Sequence, residues 1–480
     1  MPYETVIWLE IHLKLNTKTK LFCGCANVQE FHSLKPNTHI CPICTGQPGA
    51  LPVLQPEPLE KALLLGLALQ CHLNEISTFD RKSYFYPDLP MGYQITQQWK
   101  PTCIDGEVSF YADKEFTQLK TVRIRDAHIE IDSGKTIQED DTVSLDYNRS
   151  GTPLIEIVTQ PDFTSGEEVV AFLKELQGIA RLHMLSDANM EQGQMRCDVN
   201  ISLRPEWTNR LGTRVEMKNM NSFSAIQEAI QHEVLRQTDV LDMDGVVDQE
   251  TRGRNDSAHM SYVMRSKEEA MDYRFMPEPD LPPVVLDLHR VDELRTQLQE
   301  FPVTTIMRYK QEYGFNKEYI NGVLTDVAMQ KYFESFVTSW YDPKLVAGWL
   351  VGPVARWCNE QQKIVEELTF GESGFKDFLD LQVTGKLSQQ QAKAVMQEML
   401  QTGDTPTAAM DRLGIVEVDS SQIDARVTEV FAEKPELLTD LQSGNMKSIW
   451  FVIGQVMQKS GGNADPKSVQ ESIRKQVENK

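Results

Sequence analysis

The chain has 480 residues, 40% hydrophobic and 25% charged, a balance that excludes a disordered or fibrous protein; the length exceeds one hydrophobic core, so about three domains are expected. Its 48 basic and 70 acidic side chains leave a net charge of −22, which rules out nucleic-acid binding by bulk attraction and confines any RNA contact to local patches. The longest apolar stretch, 62–69, is far shorter than the roughly 20 residues a membrane span needs, and Glu4, Glu10 and His12 interrupt the place where an export signal would be apolar, so a cytoplasmic protein is expected.

Up to about residue 285 the sequence is rich in β-type runs, such as 6–15, 121–132 and 154–158, separated by Gly, Pro and Asn. Helices are predicted over 59–73 and 165–185, the second opening on the acidic Gly166-Glu167-Glu168. Four prolines in Pro277-Glu278-Pro279-Asp280-Leu281-Pro282-Pro283 remove backbone donors and fix φ, which predicts an ordered boundary loop. From Val291 onward the pattern is helical, as in 389–401 and 420–431, with turns at 403–406 and 460–466. The tail is locally basic: Lys447, Lys459, Lys467, Arg474, Lys475 and Lys480 face only Asp465, Glu471 and Glu478 within the last forty residues.

Of eight cysteines, four fall together as Cys23-x-Cys25 and Cys41-x-x-Cys44, while Cys71, Cys103, Cys197 and Cys358 are scattered. Paired thiolates on two tight turns suit a tetrahedral Zn²⁺, and in a reducing compartment such a grouping binds metal rather than forming disulfides. A closed four-sulfur site leaves no position for substrate, so its expected role is structural. The alternative is a pair of turns with inert, buried thiols.

In Leu9-Glu10-Ile11-His12-Leu13-Lys14-Leu15 the alternation puts Glu10, His12 and Lys14 on one strand face. The same period groups His128, Glu130 and Asp132, and Glu156 stands alone inside Leu154-Ile155-Glu156-Ile157-Val158. A buried carboxylate needs a cation, a donor or a metal. Glu10, His12, Glu130 and Glu156 in one pocket would suit Mg²⁺ or Mn²⁺ bridging ATP phosphates. Each strand alone is equally described as half-buried with a solvated face. Gly134-Lys135-Thr136 mimics the end of a phosphate-binding loop, but Ile129 stands where that loop needs Gly.

Longer strings carry a resemblance. Pro48-Gly49-Ala50-Leu51-Pro52-Val53, Phe79-Asp80-Arg81-Lys82-Ser83-Tyr84-Phe85-Tyr86-Pro87-Asp88, Asp146-Tyr147-Asn148-Arg149-Ser150-Gly151-Thr152-Pro153-Leu154-Ile155-Glu156, Met195-Arg196-Cys197-Asp198-Val199-Asn200, Lys218-Asn219-Met220-Asn221-Ser222-Phe223 and Asp272-Tyr273-Arg274 join Leu9-Glu10-Ile11-His12 in resembling the GatB family, the B-type chains of Glu-tRNA(Gln)/Asp-tRNA(Asn) amidotransferases. The resemblance implies an α+β chain: an antiparallel-sheet cradle domain over 1–290 with the zinc knuckle, a helical domain over 291–405, and a small mobile YqeY-like tail domain over 406–480. It implies that the cradle phosphorylates the side-chain carboxylate of the misacylated residue with ATP and Mg²⁺. Ammonia, released from glutamine by the glutaminase (GatA-type) chain of the complex, then gives Gln-tRNA or Asn-tRNA. The GatA- and GatC-type chains and the misacylated tRNA are the implied partners.

Catalytic or Mg²⁺-holding roles are expected of Glu10, His12, Glu130 and Glu156, with Lys82 as a catalytic cation. The basic, aromatic loop of Arg81, Lys82, Tyr84 and Tyr86 suits phosphate and the acylated RNA end, because bases stack on aromatic rings. Asn148 and Arg149 either contact ligand or order the Gly151 turn. Lys447, Lys459, Lys467, Arg474 and Lys475 are expected to hold tRNA phosphates. Two positions depart from the family pattern: Trp8 replaces the usual Gly and should project toward the site, and Ile131 breaks an acidic run, making one possible ligand position apolar. The competing class is therefore a tRNA-binding scaffold with weakened kinase chemistry.

Overall fold

In chain order the amino-terminal part holds β1 (Tyr3–Lys14), helix α1 (Pro56–Ala68), β2 (His72–Leu73), β3 (Ile76–Ser77), β4 (Asp80–Ser83), β5 (Tyr93–Thr96), β6 (Cys103–Tyr111) and β7 (Leu119–Ile131). It continues with β8 (Lys135–Glu139), β9 (Thr142–Asp146), β10 (Pro153–Thr159), α2 (Gly166–Leu182), β11 (Met195–Pro205), β12 (Val215–Lys218), α3 (Phe223–Asp242), β13 (Glu250–Asn255), β14 (Met260–Ser266), β15 (Met276–Pro277) and β16 (Val284–Val285). This computed structural model describes residues 3–29, 34–139, 141–255, 260–266, 272–339, 341–415, 420–442, 447–459 and 466–478. The chain divides into two units, Met1–Met307 and Arg308–Lys480.

Alternation in β1 decides the first unit. Ile7, Leu9, Ile11 and Leu13 are fully buried, whereas Glu10 and His12 on the other face are only partly covered. Among the described residues β1 is central in a nine-stranded sheet of order β14-β13-β12-β11-β1-β10-β7-β6-β2. Helices α2 and α3 cover the apolar face, and Phe172, Leu176, Ile226 and Ile230 join the strand aliphatics in one core. Ser165 and Ser222 cap these helices by accepting from the amides of Glu168 and Ala225, which satisfies donors that otherwise end unpaired.

The sheet is mixed rather than wholly antiparallel. β12 and β13 run parallel because α3 crosses over between them, and a helical crossover returns the chain in its starting direction. The predicted runs 6–15, 121–132 and 154–158 are β1, β7 and β10, and the predicted helices 59–73 and 165–185 are the shorter α1 and α2. The proline-rich segment is stitched into the first unit: Met276 pairs with Arg81 of β4, and Val284 with Ser77 of β3.

Within the described residues the second unit is helical. Tyr309, Phe315 and Phe333 pack edge-on and tilted in its core. The helix Pro343–Trp349 passes through a π-turn at Leu350–Val354 into Ala355–Gln361, where Pro353 lacks the amide a regular turn would use. The turn at 403–406 has a left-handed Gly403, Thr405 capping the Ala408 amide, and Pro406 opening the next helix. Ile423, Val427, Val452, Val456, Val469 and Ile473 form a separate small core in the tail. The expected 460–466 turn lies outside the described residues except for Pro466.

Glu175 of α2 is buried and accepts from the Val303 amide at 3.0 Å, capping the helix Pro302–Gln311. Burial pushes its carboxyl up from 4.5 to about 7, although the Val303 bond opposes the shift. The folded state thus holds a proton that the unfolded state releases, so this contribution to stability is complete below about pH 4.5 and lost as pH rises through about 7. Glu175→Gln keeps an acceptor without the charge. Thermal unfolding of parent and variant across pH 4.5–8 should show the variant gaining relative to the parent as pH rises, by up to about 3 kcal/mol.

Candidate functional site

Strand register assembles the polar face. His12 of β1 lies opposite Glu156 of β10, and Glu156 opposite His128 of β7, so three ionisable groups form one rung across three strands. His12 Nε2 is 3.3 Å from Glu130 Oε1 and 3.6 Å from Glu156 Oε2. His128 Nε2 lies 3.3 Å from Glu156 Oε2, and its Nδ1 lies 2.8 Å from Asp126 Oδ1. Thr96 of β5 donates to Glu130 at 3.4 Å.

These groups set one another's charge. Burial disfavours the charged form of His128, but Glu156 and Asp126 outweigh it and raise the imidazole to about 10. His12 is likewise raised despite burial, through its hydrogen bond to Glu130 and the charge of Glu156. Glu156 is held well below the carboxylate range: burial works against ionisation, and His128, His12 and Lys82 overcome it. The charges on the rung depend on one another, and oxygens of Glu130 and Glu156 converge on the His12 ring nitrogen.

Glu10 is not part of this group. It gathers with Asp198 and Glu216 into a second cluster, while His12, Glu130 and Glu156 form the first. Asn200 donates to Glu10 at 3.1 Å, Thr251 donates to Glu216 at 2.8 Å, and Lys218 pairs with both Asp198 and Glu216. Burial, followed by the charges of Glu156 and Glu216, raises the Glu10 carboxyl. His128, Asp126, Asp198, Glu216 and Lys218 were missed as site residues. Their signal was present in the alternations Asp126-x-His128-x-Glu130, Arg196-x-Asp198-x-Asn200 and Glu216-x-Lys218.

Lys82 of β4 lies over the Tyr273 ring at 5.0 Å, and its ammonium is held above the usual range by Glu130 and Glu156 against the effect of burial. Tyr84 packs edge-on against Tyr86 and Tyr273. Arg81 makes a two-pronged bond to Glu278, at 2.8 and 2.7 Å, and lies over Tyr93. Asn148 and Arg149 order structure. Asn148 is fully buried, accepting from the Thr38 and His39 amides and donating to Lys35 O, while Arg149 donates to Ser133 O and Gly134 O.

Both departures from the family pattern look different in three dimensions. Trp8 pairs across the sheet with Asn200, at the Glu10 end of the face and two rungs from His12. Ile131 points to the opposite face, into the core with Ile129, and lines a cavity of about 240 Å³ beside Cys23 and Cys44. It replaces no ligand, because strand alternation sends position 131 away from the acids and gives Asp132 to Arg196 and Arg149. Lys135, of the loop mimic, sits in the two-stranded β8–β9 ribbon opposite Asp146.

The Sγ atoms of Cys23, Cys25, Cys41 and Cys44 all lie within 4.8 Å of one another. Lys20, fully buried, directs its ammonium at His39 O (2.8 Å) and Cys44 Sγ (3.6 Å). A hydrogen bond from Cys23, together with the Lys20 charge, lowers the Cys44 thiol to about 5 against its burial. Four converging sulfurs could hold one metal ion tetrahedrally. In the tail, Lys459 is committed to Glu429 and Glu433, Arg474 and Lys475 are exposed, and the side chains of Lys447 and Lys467 lie outside the described residues.

Removing Arg81 leaves the buried Glu278 carboxylate without its cation. Arg81→Met should lower unfolding free energy by roughly 2–3 kcal/mol in calorimetry, and a Glu278→Gln background should recover part of that loss.

Two family models match the chain, one described as the GatB/GatE catalytic domain over residues 5–292 and one as the GatB domain over residues 331–477. It is 42% identical to the B chain of the aspartyl/glutamyl-tRNA(Asn/Gln) amidotransferase of Caldicellulosiruptor bescii, covering 100% of both chains. The protein of the same name from Carboxydothermus hydrogenoformans is 38% identical over 98% of both, and that from Gloeothece citriformis 39% identical over 99% of this chain and 98% of its own.

Proposed function

Because the chain belongs to the GatB family of aspartyl/glutamyl-tRNA(Asn/Gln) amidotransferases, we propose that its polar sheet face activates the side-chain carboxylate of Glu-tRNA(Gln) or Asp-tRNA(Asn). The observation that carries this is the convergence of His12, Glu130 and Glu156. A carboxylate is a poor electrophile until one oxygen becomes part of a leaving group. Its oxygen attacks the γ-phosphorus of ATP, the bond to the β-phosphate oxygen breaks, and ADP leaves. Ammonia derived from glutamine then adds to the acyl carbon, and phosphate departs with that oxygen. GatA- and GatC-type chains complete the complex, with the GatA-type glutaminase as the ammonia source.

Phosphoryl transfer depends chiefly on positioning and charge neutralisation. Two carboxylates and one imidazole, with His12 and Glu156 partly open to solvent, fit Mg²⁺ or Mn²⁺. Such an ion would neutralise phosphate charge. Lys82 supplies a fixed cation beside this group, and Tyr84 and Tyr86 offer rings to the acylated RNA end. His128, pinned between Asp126 and Glu156, keeps the Glu156 oxygen in place. The Glu10, Asp198 and Glu216 cluster adds acceptors along the same face. Arg474 and Lys475 contribute phosphate contacts from the tail. Among the described residues no helix is long and apolar enough to cross a membrane, and the proposed reaction belongs with translation in the cytoplasm.

Glu156→Gln and His12→Ala in the complete complex should each lower tRNA-dependent amidation by at least about a hundredfold, while affinity for the aminoacylated tRNA stays within about twofold. Unchanged amidation in both would favour the scaffold reading. The cysteine knuckle should hold zinc in stoichiometric amount, measured by metal analysis. Lys20→Met should speed zinc loss to a chelator about tenfold, because a tetrathiolate centre then lacks its neighbouring cation.

A further inference from the structure

The knuckle sulfurs take no part in carboxylate activation, and their surroundings are unequal. Cys23 and Cys44 are buried, whereas Cys25 and Cys41 are half-buried. The two buried cysteines line the cavity of about 240 Å³, whose wall includes Leu51, 58% exposed, so solvent reaches them through it. Gln47, Ser150 and Asp280 give that wall hydrogen-bonding groups, which suits a small polar visitor. Cys44 also has the Lys20 ammonium 3.6 Å from its sulfur.

A second thiol stands ready beside Cys44. Cys41 Sγ is 3.8 Å away, and the two share a Cys-x-x-Cys turn closed by the Thr45 amide donating to the Cys41 carbonyl. A disulfide bond of about 2.0 Å needs the sulfurs to close by only about 1.8 Å. The same turn is wired to the candidate site. Ser150 Oγ donates to the Cys44 carbonyl at 2.8 Å, the Leu21 amide to the Gly151 carbonyl at 3.0 Å, and the Thr38 and His39 amides to Asn148 at 2.8 Å. From Gly151 the chain runs directly into β10, which carries Glu156.

We propose that Cys44 and Cys41 form a peroxide-sensitive pair, a modification site whose disulfide ejects the knuckle metal and loosens the segment that presents Glu156. The Cys44 thiolate attacks one oxygen of hydrogen peroxide, the O–O bond breaks, and hydroxide leaves beside Lys20. Cys44 then carries a sulfenic acid. The Cys41 thiolate attacks that sulfur, the S–O bond breaks, and a second hydroxide leaves. Two electrons pass from the sulfur pair to peroxide, so two thiolates and one peroxide give one disulfide and two hydroxides. Cys23 and Cys25 alone cannot complete a tetrahedral sulfur site, so metal departs. The disulfide depends only on the knuckle; its effect on turnover rests on the amidotransferase reading above.

The test treats the complete, zinc-loaded complex with hydrogen peroxide, follows zinc release with a chromophoric chelator, and maps cysteines by mass spectrometry after alkylation. Stoichiometric zinc release with a Cys41–Cys44 disulfide is expected, together with loss of tRNA-dependent amidation; dithiothreitol and zinc should restore both. Ala50→Leu, which fills part of the cavity without touching a sulfur, should slow zinc release about fivefold. Retained zinc, a disulfide between other cysteines, or irreversible sulfinic acid at Cys44 would each overturn the pair. An unchanged rate in Ala50→Leu would overturn Cys44 as the point of entry. Disulfide formation with full amidation would refute the link to Glu156. A complex that forms the reversible disulfide but never amidates, even when reduced, would support the pair while refuting the reading beneath it.

Discussion

The central constraint is that a two-faced strand must place charge where charge can be balanced. In β1 Ile7, Leu9, Ile11 and Leu13 are fully buried among aliphatics, and the other face carries the ionisable Glu10, His12 and Lys14 beyond Trp8. A carboxylate in such a row is tolerated only with a cation or donor beside it. Neighbouring strands supply partners rung by rung: Glu156 has His12 and His128, Asp198 has Lys218, and Asp132 has Arg196. Neutralising the row creates ligand-rich points on a rigid surface. The same balance that keeps the sheet folded also prepares it for highly charged phosphates.

Local pattern carried much of the fold. The alternation of β1, β7 and β10, the acidic start of α2, and the Gly403-to-Pro406 turn were all legible, because each is decided within a few residues. The boundaries of α1 were less so: its apolar run continues past Ala68, where Gln70 takes a left-handed backbone and redirects the chain into β2. The parallel β12–β13 pair follows from a crossover helix, and nothing in the four residues of β12 states a direction.

The candidate site was legible as a list of residues but not as an arrangement. Glu10 and His12 share a face, yet they are two residues apart on an extended strand, so each meets its own cross-strand partners. Register therefore separates them into different clusters, and register is a long-range property. Arg81 is a similar case, since its ion-pair partner Glu278 lies 197 residues further on. Ile131 seemed to remove a ligand only while the acidic run was read linearly.

The segment joining β9 to β10 carries many contacts for its length. Asn148 ties it to the loop at 37–39, Ser150 donates to the Cys44 carbonyl, and the Gly151 carbonyl accepts from Leu21. Gly151 adopts φ +83°, and a Cβ there would sit 3.3 Å from that of Cys44. Side chains in a strand have a parity, so inserting or deleting one residue here would present Glu156 to the aliphatic core and Ile155 to the charged row unless a bulge absorbed the change. Length variation along this chain is therefore far more tolerable in the outlying β8–β9 ribbon than in these few residues, whose number is counted by the sheet itself.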